Sequence, residues 1–193
     1  MQKFVATDGR PDICGYGAVF DSPSVDLGGF REVVRPSAFG DLDGRDIRSL
    51  VNHNPALVIG RSSNEVDTLL IRKDTIGLAV KIRPPDNSAG RDIVESIKRR
   101  DIDGMSFGFR TLDDNWWTDR DGTPMRALNK VDLIEVSVCS FPAYPATQVG
   151  LRNSDHRDTI AVMRRRLEQV KGKAGPRATK TMRRRLELRK LAA

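Results

Sequence analysis

Over the first 150 residues every apolar run is short and is cut by a turn signal, and that punctuation most restricts the fold. Residues 15–20 alternate small and apolar side chains and stop at Asp21-Ser22-Pro23. Residues 30–34 form another short apolar run, closed by Pro36, and residues 47–52 lead into His53-Asn54-Pro55, a turn signal. Residues 69–72 and 77–82 flank Lys73-Asp74-Thr75 and predict a hairpin. After the break Pro84-Pro85-Asp86-Asn87-Ser88, Ile93, Val94 and Ile97 fall at helical spacing. A helix over 89–100 follows, capped by Asn87 or Ser88. Residues 105–111 return to strand, 113–122 form a polar hairpin loop around Trp116-Trp117, and 130–140 make the strongest strand, ended by Pro142 and Pro145. Many short strands with little helix predict a β-rich α+β domain built as a barrel or sandwich.

Charge divides the chain in two. Residues 151–193 carry 14 Lys and Arg against 4 Asp and Glu, whereas the remainder carries 19 against 22. The expected organisation is a domain over 1–152 and a basic helical tail over 153–193. In the tail, Ile160, Met163, Leu167 and Val170 recur at helical spacing, and Met163-Arg164-Arg165-Arg166-Leu167-Glu168 reappears at Met182-Arg183-Arg184-Arg185-Leu186-Glu187. No apolar run approaches the roughly 20 residues of a membrane span. The first ten residues lack the apolar core of a signal peptide. Cys14 and Cys139 are too few for a disulfide framework. The expectation is a soluble protein with reduced thiols, made and used inside a cell.

Three residues could carry chemistry. His53 stands at the end of an apolar strand and the start of a turn, where a scaffold presents side chains to a cleft. A neutral imidazole accepts a hydroxyl proton near pH 7, although a surface or structural histidine is the plainer reading of His53 alone. Ser106 lies in Asp103-Gly104-Met105-Ser106-Phe107-Gly108-Phe109. Small flanking residues let a substrate backbone approach a nucleophile, but the Gly-x-Ser-x-Gly elbow of hydrolases sits between a strand and a following helix. Here the helix precedes, so a serine in a glycine-containing strand is equally served by the spelling. Strand parity places Leu133, Glu135, Ser137 and Cys139 on one face, with Ile134, Val136 and Val138 facing the core. A mid-strand carboxylate needs a partner; orienting an imidazole is one, and an arginine salt bridge is the other. Asp132 is the alternative acid. His156 falls in a polar link and reads as solvated. No Cys/His spacing predicts a metal site and no Gly-rich phosphate loop is present, so no cofactor is expected.

Four segments in order resemble the prohead maturation proteases of tailed bacteriophages, distant relatives of the herpesvirus assemblins. They are Gly15-Tyr16-Gly17-Ala18-Val19-Phe20 followed by Glu32-Val33-Val34-Arg35-Pro36-Ser37-Ala38-Phe39; Asn52-His53-Asn54-Pro55; Ile102 to Phe109 around Ser106; and Glu135 through Pro145. The resemblance covers about residues 10–152. It implies a herpesvirus-protease-like, β-rich barrel with surrounding helices, and a serine endopeptidase with Ser106 as nucleophile and His53 as base. The assemblins use a second histidine as third member. This sequence has no histidine between 54 and 155, so an acidic residue must stand there, and Glu135 fits the segment best.

The resemblance further implies cleavage of the major capsid protein or its scaffolding region, and of the protease itself, in the host cytoplasm inside the assembling procapsid. The basic tail would dock on acidic scaffold or portal surfaces, an idea that unchanged packaging after its removal would sink. Self-association and nucleic-acid binding through the clustered arginines are further expectations. A non-enzymatic capsid-assembly component and a nucleic-acid-binding protein remain the competing classes.

Overall fold

The structure is a computed structural model, and it describes residues 11–152. The expected basic helices, His156 and the domain boundary at 152/153 lie at or beyond the edge of the described residues.

Nine strands and one helix make up the described chain: β1 (Asp12–Val19), β2 (Arg31–Val34), β3 (Ile47–Val51), β4 (Asn54–Ser62), β5 (Leu69–Lys73), β6 (Gly77–Ile82), α1 (Ser88–Arg99), β7 (Gly104–Thr118), β8 (Pro124–Cys139) and β9 (Val149–Arg152). One antiparallel sheet runs β5-β6-β1-β9. The second runs β2-β8-β3-β4, with β7 along the opposite edge of β8. The sixteen residues of β8 organise this sheet. Their first part pairs in parallel with β2 at Met125–Leu128, and their last part with β3 at Glu135–Val138. Isolated bridges Phe20↔Val34 and Ser62↔Asp67 join the two sheets at their margins, so the strand order closes in a barrel-like ring.

The predicted hairpin at 69–82, the helix and the central strand are all present. Asn87 is the helix cap: its side chain accepts from the Gly90 N–H at 2.9 Å. Ile93 and Ile97 pack into the core. The helix is the sole one among the described residues, so the expected surrounding helices reduce to one there.

Three strand expectations need correction. Residues 113–118 are strand rather than loop, because β7 and β8 stay paired out to Thr118↔Pro124. Trp116 packs against Phe30 at 5.0 Å between ring centroids and under the Arg126 guanidinium, which covers the hairpin as an aromatic pair should. Asn54 and Pro55 already belong to β4, an edge strand where proline costs no ladder bond. Finally, Ile134 does not face the core. Gly108 pairs with Glu135 and Phe109 with Leu133, leaving Ile134 opposite nothing. That bulge reverses the side-chain parity beyond it. Leu133 therefore enters the core at 2% exposure and Ile134 turns out to 44%.

Beneath the second sheet, Met105, Phe107, Val136 and Val138 are buried together. Phe107 stacks against Phe109 and Tyr144 at 4.9 and 5.4 Å. Tyr144 donates its hydroxyl to the buried Glu32 carboxylate, which also pairs with Arg126 at 3.2 Å. Burial, the largest cause, holds the Glu32 carboxyl above its usual range against these two partners. Two segments distant in sequence, 32–39 and 135–145, are tied together there.

Candidate active site

With the core on one side, the other face of β7 and β8 is left for polar residues. Ser106 and Ser137 stand opposite each other across the two strands, and Glu135 stands opposite Gly108. All three polar residues are buried: Ser106 is 4% exposed, Glu135 7% and Ser137 0%.

The spelling around Ser106 now has a physical reason. Gly104 and Gly108 lie two positions either side of it, on the same face. A Cβ on Gly104 would fall 2.5 Å from Pro142 Cγ. A Cβ on Gly108 would overlap Glu135 Oε1 and lie 3.1 Å from its carboxyl carbon. The two glycines let Pro142 and the Glu135 carboxylate press onto the strand next to Ser106. Gly108→Ala is accordingly expected to push the carboxylate aside. It should cost about 1–3 kcal/mol in overpacking, read as a lower melting temperature, and lower any activity that depends on Glu135.

His53 reaches this face from the turn after β3. Asn52 and His53 both adopt left-handed backbone, at φ 51° and 60°. That conformation is unfavourable for L-residues by roughly 1–2 kcal/mol each, so the turn has to be tied down. The Asn52 N–H donates to Val138 O at 2.9 Å, the Ser140 N–H to Asn52 Oδ1 at 2.9 Å, and the His53 N–H to Ser137 Oγ at 3.2 Å. Thus anchored, the imidazole places Nδ1 2.5 Å from Glu135 Oε1. Ser137 donates its hydroxyl to the second oxygen, Oε2, at 2.6 Å.

Of the three candidates, His53 and Glu135 are in direct contact. Ser106 shares their face, and among the described residues no hydrogen bond links its hydroxyl to the pair. Asp132, the alternative acid, is ion-paired with Arg45. The sequence had put Ser137 on the face of Glu135 without giving it a task. Among the described residues no three His, Cys, Asp or Glu side chains come together as a metal site, and no helix is long and apolar enough to cross a membrane.

The Cys139 sulfur first, and the Glu135 carboxylate second, push the His53 imidazole up from 6.5 to about 10 against the opposing effect of burial. The shift favours the protonated form of the imidazole. A raised folded-state value means the stabilisation is complete below about 6.5 and is lost as pH rises through about 10. A step that needs the neutral imidazole runs the other way and gains rate across that window. Cys139→Ala is expected to move both midpoints to lower pH, which pH-dependent melting and a pH–rate profile would measure. A carboxylate at Nδ1 leaves Nε2 as the ring nitrogen that Glu135 does not hold.

The prohead protease of Enterobacteria phage HK97 is 26% identical over 160 residues, covering 79% of this chain and 66% of that protein. The chain thus spans just under two thirds of its relative's length. A crystal structure of KSHV protease in complex with a hexapeptide phosphonate inhibitor superposes with a TM-score of 0.40 and 12% identity, covering 84% of this chain and 77% of the other. The family described as caudovirus prohead serine protease matches residues 2–161, which include every residue of the site. By that match the chain belongs to the caudovirus prohead serine protease family.

Proposed function

We propose that this chain is a serine endopeptidase that cleaves the capsid protein, or its scaffolding region, as a viral procapsid matures. Ser106 is the nucleophile, His53 the general base and Glu135 the residue that orients the imidazole. The observation that carries this reading is the 2.5 Å contact between His53 Nδ1 and Glu135 Oε1, on the face of the sheet that holds Ser106.

The reaction follows from these roles. Glu135 accepts from Nδ1–H and so fixes the tautomer whose Nε2 is a base. Neutral His53 takes the Ser106 proton as Oγ attacks a peptide carbonyl, then returns it to the departing amine. Water completes the cycle by hydrolysing the acyl-serine with the same base. The carboxylate stabilises the imidazolium formed in each half. The partners that go with this reading are the capsid protein, its scaffold and other copies of the protease, within the assembling shell.

A fluorophosphonate, which reacts covalently with activated serines, tests the assignment. Wild-type protein is expected to gain one adduct, located by peptide mass spectrometry at Ser106, and His53→Ala to gain none. An adduct on Ser137 or elsewhere, or labelling that ignores His53, would remove the proposed nucleophile.

A further inference from the structure

We propose that Ser137 is a positioning residue of this site, whose hydroxyl couples the Glu135 carboxylate to the main chain of the His53 turn. The inference rests on the protease reading above and extends it to a fourth side chain.

The hydrogen bonds form a closed circuit. Ser137 Oγ accepts from the His53 N–H at 3.2 Å and donates to Glu135 Oε2 at 2.6 Å. Glu135 Oε1 in turn meets His53 Nδ1 at 2.5 Å. The backbone and the ring of one histidine are thereby held by two residues that stand two positions apart on β8. Asn52 is held separately by Val138 O and the Ser140 N–H. The backbone N–H of His53 itself relies on Ser137, and His53 adopts a left-handed conformation that a side chain does not hold without support.

A hydroxyl has one hydrogen to donate. Here it goes to the carboxylate, so the oxygen is left to accept from the N–H. Ser137 is 0% exposed, so its hydroxyl makes both bonds out of contact with bulk water. Alanine would strip a buried carboxylate oxygen of its donor and the His53 N–H of its acceptor at once, leaving both groups to find new orientations. The same engagement separates the two facing serines. The Ser137 hydroxyl is fully used in holding the pair, while Ser106 lies opposite it on the neighbouring strand. Neither Glu135 nor Ser137 would reach His53 without the parallel pairing of β3 with β8, which sets Leu50 beside Ser137 and Val51 beside Val138.

The test compares full-length wild type, Ser137→Ala and Ser137→Thr, each purified and incubated with purified capsid protein of the same virus. Melting temperature is followed in parallel, together with the 15N NMR signal of the His53 Nδ1–H in a Ser106→Ala background. Ser137→Ala is expected to lower kcat about 10- to 100-fold, the range typical of groups that orient a functional side chain from behind. KM should stay nearly constant and the Nδ1–H signal should be lost or broadened. Ser137→Thr, which keeps the hydroxyl, should restore most of both. An alanine variant with wild-type kcat and an intact signal overturns the proposal. So does a loss of rate that tracks a lower melting temperature while the signal stays intact, because Ser137 would then only pack. If Ser137→Thr does not fold, the signal in Ser137→Ala decides alone. Should wild type fail to cleave the capsid protein, the protease reading falls, and the NMR arm still upholds or overturns the coupling of Ser137 to the imidazole.

Discussion

Ser106→Ala is expected to lower the rate of capsid-protein cleavage by about 10⁶-fold, the loss that follows removal of a serine nucleophile acting with its base. The change deletes one oxygen from a residue 4% exposed, between glycines, on a strand paired along its length with β8. Melting temperature should therefore hardly move, which separates lost chemistry from lost structure. Ser137 does not rescue the variant, since its hydroxyl is committed to Glu135 and the His53 N–H. With the proposed roles, in which nucleophile and base act as a unit, Ser106→Ala combined with His53→Ala should be scarcely slower than either alone. Rates from purified proteins, single and double variants side by side, check both statements.

Glu135→Gln should cost about 10⁴-fold, as wrong-tautomer variants of such triads do. The present carboxylate meets two donors, one at each oxygen: His53 Nδ1–H and the Ser137 hydroxyl. An amide offers one acceptor oxygen and one NH₂ group. If its oxygen faces Ser137, its NH₂ faces Nδ1, which must then be the unprotonated nitrogen. The proton moves to Nε2 and the ring ceases to be a base on the side where the serine reacts. If the oxygen faces His53, the NH₂ faces Ser137, whose hydroxyl has to turn its hydrogen away to accept from it and loses its own acceptor. Removing the carboxylate also removes the second of the causes that raise the His53 imidazole, so the remaining activity should titrate at lower pH than in wild type. A pH–rate profile of the variant distinguishes this from simple misfolding, which would lower the rate at every pH alike.

How much of this was legible in the sequence depends on where each feature is encoded. The helix and the 69–82 hairpin were legible because their signals are local: Asn87 ahead of Ile93 and Ile97, and Asp74 between two apolar runs. The strand β8 announced itself through Val131, Leu133, Val136 and Val138. Its bulge at Ile134 did not, because a bulge is a property of the pairing with β7, and nothing in the residues 133–135 themselves fixes which one is left over. The strand β4 was hidden by Pro55 and by five successive exposed residues at its start, which show no alternation. The short β9 is held by its register with Asp12 to Gly15 in β1 rather than by any pattern of its own.

The site divides in the same way. His53, Ser106 and Glu135 were visible as chemistry-bearing residues in special surroundings, and the strand parity of Glu135 with Ser137 and Cys139 holds because it lies beyond the bulge. The reason for Gly108 was hidden, since its neighbour Glu135 is 27 positions away in the chain and meets it only through β7–β8 pairing. The left-handed turn at Asn52-His53 was likewise hidden. Asn and His both enter that conformation more readily than most residues, but the tie that holds His53 there comes from β8, far along the chain.

The most direct measurement is co-expression of this chain with the capsid protein of the same virus, as wild type and as Ser106→Ala, with the intact mass of the capsid protein as readout. The proposed chemistry predicts a shortened capsid protein with wild type alone, full-length capsid protein with Ser106→Ala, and one new terminus that marks the cleaved bond. Equal shortening by both forms would contradict it, because peptide cleavage would then proceed without the Ser106 hydroxyl.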